Sequence, residues 1–178
     1  KEFYQEQDIM QMAESLTRHI CAEVCELSLP EPFPRMTYAE AMERYGHDAP
    51  DLRFGMELVD CSDLAETTEF RVFRGAVEAG GKVRGINVKG VAEQFSRKRI
   101  DELTDYVKQD FGAKGLAWFR AESDGTLWSP ISKNLTDELL VQFSERMGAE
   151  PGDLMLFIAD SWEVSCKALG GLRKRLGT

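Results

Sequence analysis

Apolar residues recur every three or four positions near the start of the chain, with polar residues between them. This spacing predicts a long amphipathic helix that ends before Pro30, and its apolar stripe needs a surface to pack against. The segment from Pro30 to Pro34 contains three prolines and predicts a stiff extended connector. The positions that define the helix are Ile9, Met12, Ala13, Leu16, Ile20 and Val24.

From Met56 onward, short apolar runs alternate with helical patterns. Helices are predicted to begin at Ser96, Thr136 and Ser161, and a Gly80-Gly81 pair predicts a tight reversal between two strands. The pattern predicts an α+β fold, with a mostly antiparallel sheet that has helices on one face and is preceded by a helical segment. The predicted strands are Glu57 to Asp60, Phe70 to Phe73, Val83 to Val88, Leu116 to Arg120 and Leu154 to Ala159.

The change of pattern near residue 56 predicts a domain boundary. Residues 1–55 form the first predicted domain, which contains the long helix, the proline connector and a further helix with its loop. Residues 56–178 form the second, which is the compact α+β module. The sequence shows no internal repeat and no low-complexity segment.

A short helix and a stiff loop end the first predicted domain. Thr37 and Glu40 predict a capping box, in which each side chain accepts from the backbone N–H of the other residue, and Gly46 predicts the end of the helix. Pro50 fixes its own φ and stiffens the loop that follows. The loop presents two carboxylates and a guanidinium as candidate site groups, those of Asp48, Asp51 and Arg53.

Residues 36–55 resemble the bacterial-type aspartyl-tRNA synthetases, in the part that follows their second class II motif. That family usually has Ser in place of His47 and Lys in place of Ala49, so a role of that lysine has no counterpart here. Residues 56–178 resemble the GAD domain, the insertion module that those synthetases share with the B subunit of the tRNA-dependent amidotransferases. The motifs of this second likeness are Arg97 to Glu102, Phe111 to Trp118, Ser129-Pro130, Gly152-Asp153 and Gly170 to Arg173.

The resemblance implies a parent enzyme that is an aspartate–tRNA ligase of class II. Such an enzyme activates aspartate with ATP and Mg²⁺ and transfers it to tRNA, and it is expected to be a cytoplasmic homodimer. The family's catalytic arginines lie in the second and third class II motifs, which these 178 residues lack. The chain is therefore expected to be part of a longer protein, with no catalytic residue, no metal ligand and no cofactor of its own.

Two functions are open for the module, and two for the loop that precedes it. The module either binds tRNA or another partner, as in an amidotransferase-like protein, or it serves as a structural spacer. The loop with Asp48, Asp51 and Arg53 either faces the substrates or braces the domain junction, and its stiffness favours bracing.

The net charge of −9 disfavours nucleic-acid binding over most of the surface, so RNA contact requires a local patch. Cations at the end of the last helix, from Lys167 to Arg175, are typical of a solvated helix end. The run of Arg97, Lys98 and Arg99 lies at a predicted helix start, where the helix dipole does not account for it. These three residues, with Lys114, are the candidate RNA contacts.

The tryptophans and cysteines add two weaker signals. Trp118 and Trp128 could stack on bases, but aromatic residues on an alternating strand are more often in the core, and that interpretation is favoured. Cys21 and Cys25 lie one helical turn apart, yet no C-x-x-C pair is present, so no metal site is predicted. Scattered thiols are typical of a reducing compartment, and no apolar run has membrane length.

Overall fold

The computed structural model describes residues 5–177, which form two compact units, 5–36 and 37–177. Residues 1–4 and residue 178, at the outer ends of the two predicted domains, lie outside the described part. The two compact units divide between residues 36 and 37, which is before the predicted domain boundary near residue 56. Residues 37–55 therefore pack with the second unit. The boundary at 56, which follows the change of sequence pattern, stays a prediction.

The first unit consists of one helix and an extended segment. Helix α1 spans Glu6–Cys25, which confirms the predicted long helix, and none of its residues is buried. Arg18 pairs with Glu31, and Arg35 donates to Glu14 at 3.1 Å, so that two ion pairs tie the extended segment to the helix. The large apolar side chains of α1 that are exposed are Ile9, Met12, Leu16, Ile20 and Val24.

The second unit is built on a five-stranded sheet within residues 37–177, with the strand order β1-β2-β5-β3-β4. Every neighbouring pair is antiparallel. The central strand, β5, pairs with β2 from Lys82↔Asp160 to Val88↔Leu154, and with β3 on its other side. The strands are β1 Val59–Asp60, β2 Lys82–Val88, β3 Ala117–Ala121, β4 Leu127–Trp128 and β5 Leu154–Asp160.

Helices cover both faces of this sheet, whereas the sequence pattern predicted helices on one face only. Side chains of β5 point alternately to two hydrophobic clusters, Leu156 to the cluster with α5 and α7, and Phe157 to the cluster with α3, α4 and α6. All seven residues of β5 are buried, as expected of a strand that is covered on both sides. The α+β class, the antiparallel sheet and the preceding helical segment are confirmed. The helices are α2 Tyr38–Tyr45, α3 Ser62–Glu66, α4 Arg71–Glu78, α5 Arg97–Phe111, α6 Asp137–Met147 and α7 Trp162–Leu176.

The predicted strand at Phe70 to Phe73 is wrong, because these residues begin helix α4. Phe73 and Ala76 are both buried, which is the three-residue spacing of a helix face. The predicted strand-to-strand reversal at Gly80-Gly81 is also wrong, since this pair ends α4 before β2 begins. Gly80 has φ +79, and the N–H of Gly81 donates to the carbonyl oxygen of Ala76 at 2.9 Å.

The helix starts read from local signals are confirmed. The side-chain oxygen of Ser96 accepts from the N–H of Arg99, and those of Thr136 and Ser161 accept from the residue three positions on in the same way. Gly112 and Gly148 have positive φ and end α5 and α6. These signals act within one helical turn, which is why the sequence reveals them.

Candidate functional site

Helix α2 leads into the loop that carries the first candidate site residues. The Thr37 hydroxyl oxygen accepts from the N–H of Glu40 at 3.1 Å, and Gly46, with φ +67, ends the helix. The reciprocal bond predicted for the Glu40 side chain is not the one formed. Instead, Oε1 of Glu40 accepts from Nη1 of Arg44 at 2.8 Å, so that one half of the capping box sets the start of the helix.

The end of α2 touches α7 backbone to backbone. A Cβ atom on Gly46 would overlap the carbonyl oxygen of Cys166, and one on Gly170 would overlap that of Gly46. Since any side chain at either position would force the helices apart, this glycine pair fixes how the loop after α2 lies on α7.

Arg173 of α7 holds the loop in place, although the sequence pattern predicted a solvated helix end. Its side chain is buried, with 3% of the residue exposed. Nη2 donates to the carbonyl oxygens of Asp51 at 2.7 Å, Phe54 at 3.0 Å and Gly55 at 3.0 Å. The guanidinium lies 4.6 Å from the ring centroid of Tyr45 and 4.5 Å from that of Phe54.

Burial lowers the pKa of Arg173, and the backbone oxygens around its guanidinium compensate for the lost water. A lysine has neither the fork of donors nor the flat face that this position uses. Sequence analysis missed Arg173 because its partners lie more than one hundred positions earlier in the chain. We call Arg173 and the segment 51–55 that it binds the arginine clamp.

Asp51 and Arg53 form a local ion pair, while Asp48 stands apart. Nη2 of Arg53 lies 2.5 Å from Oδ2 of Asp51, and its Nε lies 3.0 Å from Oδ1. The Arg53 guanidinium, which donates side-chain hydrogen bonds, holds the pKa of Asp51 at about 2. The side chain of Arg53 is 84% exposed, so the pair faces solvent. Asp48 is exposed beside His47, whose Nδ1 accepts from the N–H of Ala49 at 2.9 Å.

The structure brings three of the four predicted RNA contacts together in the first turn of α5. Arg97, Lys98 and Arg99 are all exposed, and that turn contains no acidic residue. Arg99 donates from Nη1 to the carbonyl oxygen of Gln94 at 3.0 Å. Cations at a helix N-terminus oppose the helix dipole, so this arrangement does not serve the stability of α5. We call Arg97, Lys98 and Arg99 the α5 cations.

Lys114, the fourth predicted contact, lies at the other end of α5. This 15-residue helix separates it from the α5 cations by about 22 Å, at 1.5 Å per residue. Its side chain is 73% exposed, and Nζ lies 3.9 Å from Oδ1 of Asp160. Lys114 and the α5 cations therefore do not form one patch.

The motif around Lys114 has a structural role. Gly112 has φ +72 and ends α5, and the chain enters β3 at Ala117. Gly115, Leu116 and Ala117 line an apolar groove of about 500 Å³ together with residues of α4. These positions confirm the predicted helix stop and the extended entry into a strand.

The two tryptophans of the sheet differ in burial. Trp118 packs against the hydrophobic cluster under α5 and α7, in agreement with its predicted core position. Trp128 is 50% exposed, so the core position predicted for it is wrong. It lies on β4, a two-residue strand at the edge of the sheet that sequence analysis did not predict.

Within residues 5–177, no three His, Cys, Asp or Glu side chains cluster closely enough to hold a metal ion. The thiols of Cys61 and Cys166 are buried, and burial raises the pKa of Cys61 to about 12. None of the helices in that same part of the chain combines the length and the apolar character that a membrane crossing requires.

Comparison with known proteins identifies the module. The sequence profile described as "GAD domain" matches residues 73–169, which is more than half of the chain. The chain belongs to the GAD domain family. The matched range contains the α5 cations, Lys114, Trp118 and Trp128, whereas the loop with Asp48, Asp51 and Arg53 precedes it and Arg173 follows it.

The similarity between this GAD chain and its relatives extends over nearly the whole length of the chain. It is 58% identical over 174 residues to a protein of Rhodopirellula baltica named aspartate–tRNA(Asp/Asn) ligase, and 49% identical to one of that name from Persephonella marina. It is 47% identical to the aspartate–tRNA ligase of Halalkalibacterium halodurans. Each comparison covers 98% of this chain, but the chain spans only 28–29% of the length of these relatives.

The arginine clamp joins the segments that precede and follow the GAD match. Segment 51–55 lies before residue 73 and Arg173 lies after residue 169, yet they are joined by hydrogen bonds. The ring of Phe54 also lies against Gly177, where a Cβ atom would overlap it. The chain therefore enters and leaves the GAD module at neighbouring points.

Replacing Arg173 with alanine is expected to free the loop. The change leaves the carbonyl groups of Asp51, Phe54 and Gly55 without their donor and removes a stacked side chain, at a cost of about 2–3 kcal/mol. Amide hydrogen exchange should rise at Arg53, whose N–H donates to Oδ1 of Asp51 at 3.0 Å within the loop, and Arg173→Lys should restore little of the protection. Lys174→Ala, at an exposed neighbouring position, is the matched control. Unchanged exchange in Arg173→Ala would contradict the clamp.

The ion pair of the loop is expected to show in the titration of Asp51. By NMR, its carboxyl should titrate with a pKa of about 2, and Arg53→Ala should return the pKa towards the ordinary value of about 3.9. Because the folded pKa is depressed, the pair's contribution to stability is present above about pH 4 and is lost as the pH falls through about 2. If the pKa of Asp51 is the same in Arg53→Ala as in the unaltered chain, this assignment is refuted.

Proposed function

We propose that this chain serves as the inserted GAD module of an aspartate–tRNA ligase, joined to a strip of the domain into which it is inserted. The names and identities of the relatives support this proposal. The observation that carries it is the arginine clamp, because a module inserted into another domain must leave its host and return to it at nearby points.

The clamp meets this requirement in physical terms. Four hydrogen bonds from one buried guanidinium link the loop before the module to the last helix after it. The backbone contact of Gly46 with Gly170 adds a second link at the same place. Two links between entry and exit fix the orientation of an inserted module, whereas one flexible linker would leave it free to rotate.

In this proposal Asp48, Asp51 and Arg53 brace the junction and take no part in the chemistry. The Asp51 backbone is held by Arg173, and its side chain is occupied by Arg53. The whole enzyme would bind aspartate, ATP with Mg²⁺ and tRNA, and it would be a cytoplasmic homodimer. We assign the ATP and Mg²⁺ sites to the rest of that enzyme and the role of positioning to this chain.

A chimera tests the proposal. The corresponding 174 residues of the Rhodopirellula baltica ligase are replaced by this chain, and aspartyl-tRNA formation is measured. The chimera should be active because both junctions keep their clamp residues, whereas the chain alone should give neither aspartyl-tRNA nor aspartate-dependent pyrophosphate exchange. A folded but inactive chimera, or an active isolated chain, would overturn the proposal.

A second candidate function, contact with tRNA, is favoured by the α5 cations. Three exposed cations stand where the helix dipole makes them unfavourable, in a chain whose net charge is −9. The N-terminus of α5 adds its own positive field at this point. A phosphate backbone provides the anionic partner that would make this cluster favourable.

Salt titration of tRNA binding tests this second candidate. If the α5 cations neutralise about three phosphates, the logarithm of the affinity should fall with the logarithm of salt concentration with a slope of about −2 to −3. The triple variant Arg97→Ala/Lys98→Ala/Arg99→Ala should lose most of this slope in a filter-binding assay. The control Lys167→Ala/Lys174→Ala/Arg175→Ala removes the same number of charges from α7. If the slope falls equally in both variants, the binding depends on net charge alone, and the α5 site is rejected.

A further inference from the structure

Trp128 offers a flat apolar face to solvent at the edge of the sheet. The ring of Trp118 packs against the ring of Trp128, with the ring centroids 5.5 Å apart and the ring planes at 55°. In contrast, the indole N–H of Trp162 donates a hydrogen bond to Oε2 of Glu43 at 3.0 Å. Aromatic pairs of this kind stabilise the arrangement of both rings, and the exposed indole of Trp128 keeps area free for stacking.

A continuous line of contacts joins Trp128 to the α5 cations. The Arg120 guanidinium lies 5.4 Å from the ring centroid of Trp118, and its Nη2 donates to the carbonyl oxygen of Phe95. The guanidinium of Arg99 lies 4.6 Å from the centroid of the Phe95 ring. Rings and guanidinium groups thus alternate along this line, in which Phe95 is buried and the two ends, Trp128 and Arg99, are exposed. We call Trp128, Trp118, Arg120, Phe95 and Arg99 the aromatic–cation surface.

We propose that this surface binds single-stranded RNA, with an unpaired base stacked on Trp128 and phosphates of the same strand on the α5 cations. The inference rests on the second candidate function and adds to it the base contact and the kind of strand. Proteins that bind single strands combine aromatic rings that stack on bases with cations that follow the backbone. Here both parts are present and physically joined.

The geometry selects a single strand over a duplex. In a double helix the base faces are stacked on one another, so an indole ring at the protein surface could reach only base edges or the backbone. An unpaired loop or end leaves its base faces free to stack on Trp128. The negative net charge of the chain disfavours phosphates over most of the remaining surface.

Tryptophan fluorescence gives a direct test with the full chain. A short oligouridylate should quench the emission, and the quenching should be lost in Trp128→Ala and kept in Trp162→Phe, which removes another partly exposed tryptophan. Trp128→Ala should weaken binding about 5- to 150-fold, the range expected for one stacked base, and Trp128→Phe should retain part of it. The salt slope should stay unchanged in both variants at position 128, because they remove no charge.

Each contrary outcome has a separate meaning. If Trp128→Ala binds as tightly as the unaltered chain while the α5 triple variant is weakened, base stacking is rejected and the tRNA contact remains. If a duplex of matched length binds as tightly as the single strand, the single-strand selection is rejected. Salt-insensitive or absent binding by the unaltered chain rejects both RNA proposals, and the chimera experiment on the inserted module is unaffected.

Discussion

Burial of β5 between two helix layers is the constraint on which the second unit depends. All seven residues of this strand are buried, and both of its edges are paired, with β2 and with β3. Its alternate side chains supply the centre of two separate hydrophobic clusters. Every helix from α3 to α7 packs on one of these clusters. The position of an exposed residue on one of these helices is therefore set by the face of the sheet that its helix covers and by where along β5 the helix packs.

Buried arginines then attach α2 and its loop to that framework. Arg84 on β2, which is 1% exposed, donates to the carbonyl oxygen and to Oε1 of Glu43, the latter at 2.9 Å, and to the sulfur of Cys166 at 2.9 Å. Arg173 binds the loop a few residues further on. Removing one partner of such a buried charge is costly, which makes these contacts selective for one docking of α2. Residues 37–55 are therefore compact with the module although they resemble the domain before it.

Sequence analysis predicted the local features and missed the long-range ones. The caps at Ser96, Thr136 and Ser161 act within one turn, so each was readable from a few letters. Helix α4 was mistaken for a strand because a short apolar run fits both periods. Arg173 carries no local sign of burial, since its partners Asp51 and Phe54 come from the far end of the second unit. The exposure of Trp128 depends on β4 being an edge strand of two residues, which the alternation along the chain does not reveal.

The clamp and the aromatic–cation surface share no residue, which fits the two separate roles proposed for them. Arg173 contacts the loop, Tyr45 and Phe54, whereas Trp128 contacts Trp118 and, through Arg120, the segment before α5. The clamp lies on the flanks of the family match and the aromatic–cation surface lies inside it. In the two proposals, attachment to a host domain depends on the clamp and recognition of a strand depends on the aromatic–cation surface, so a substitution confined to one set removes none of the direct contacts of the other.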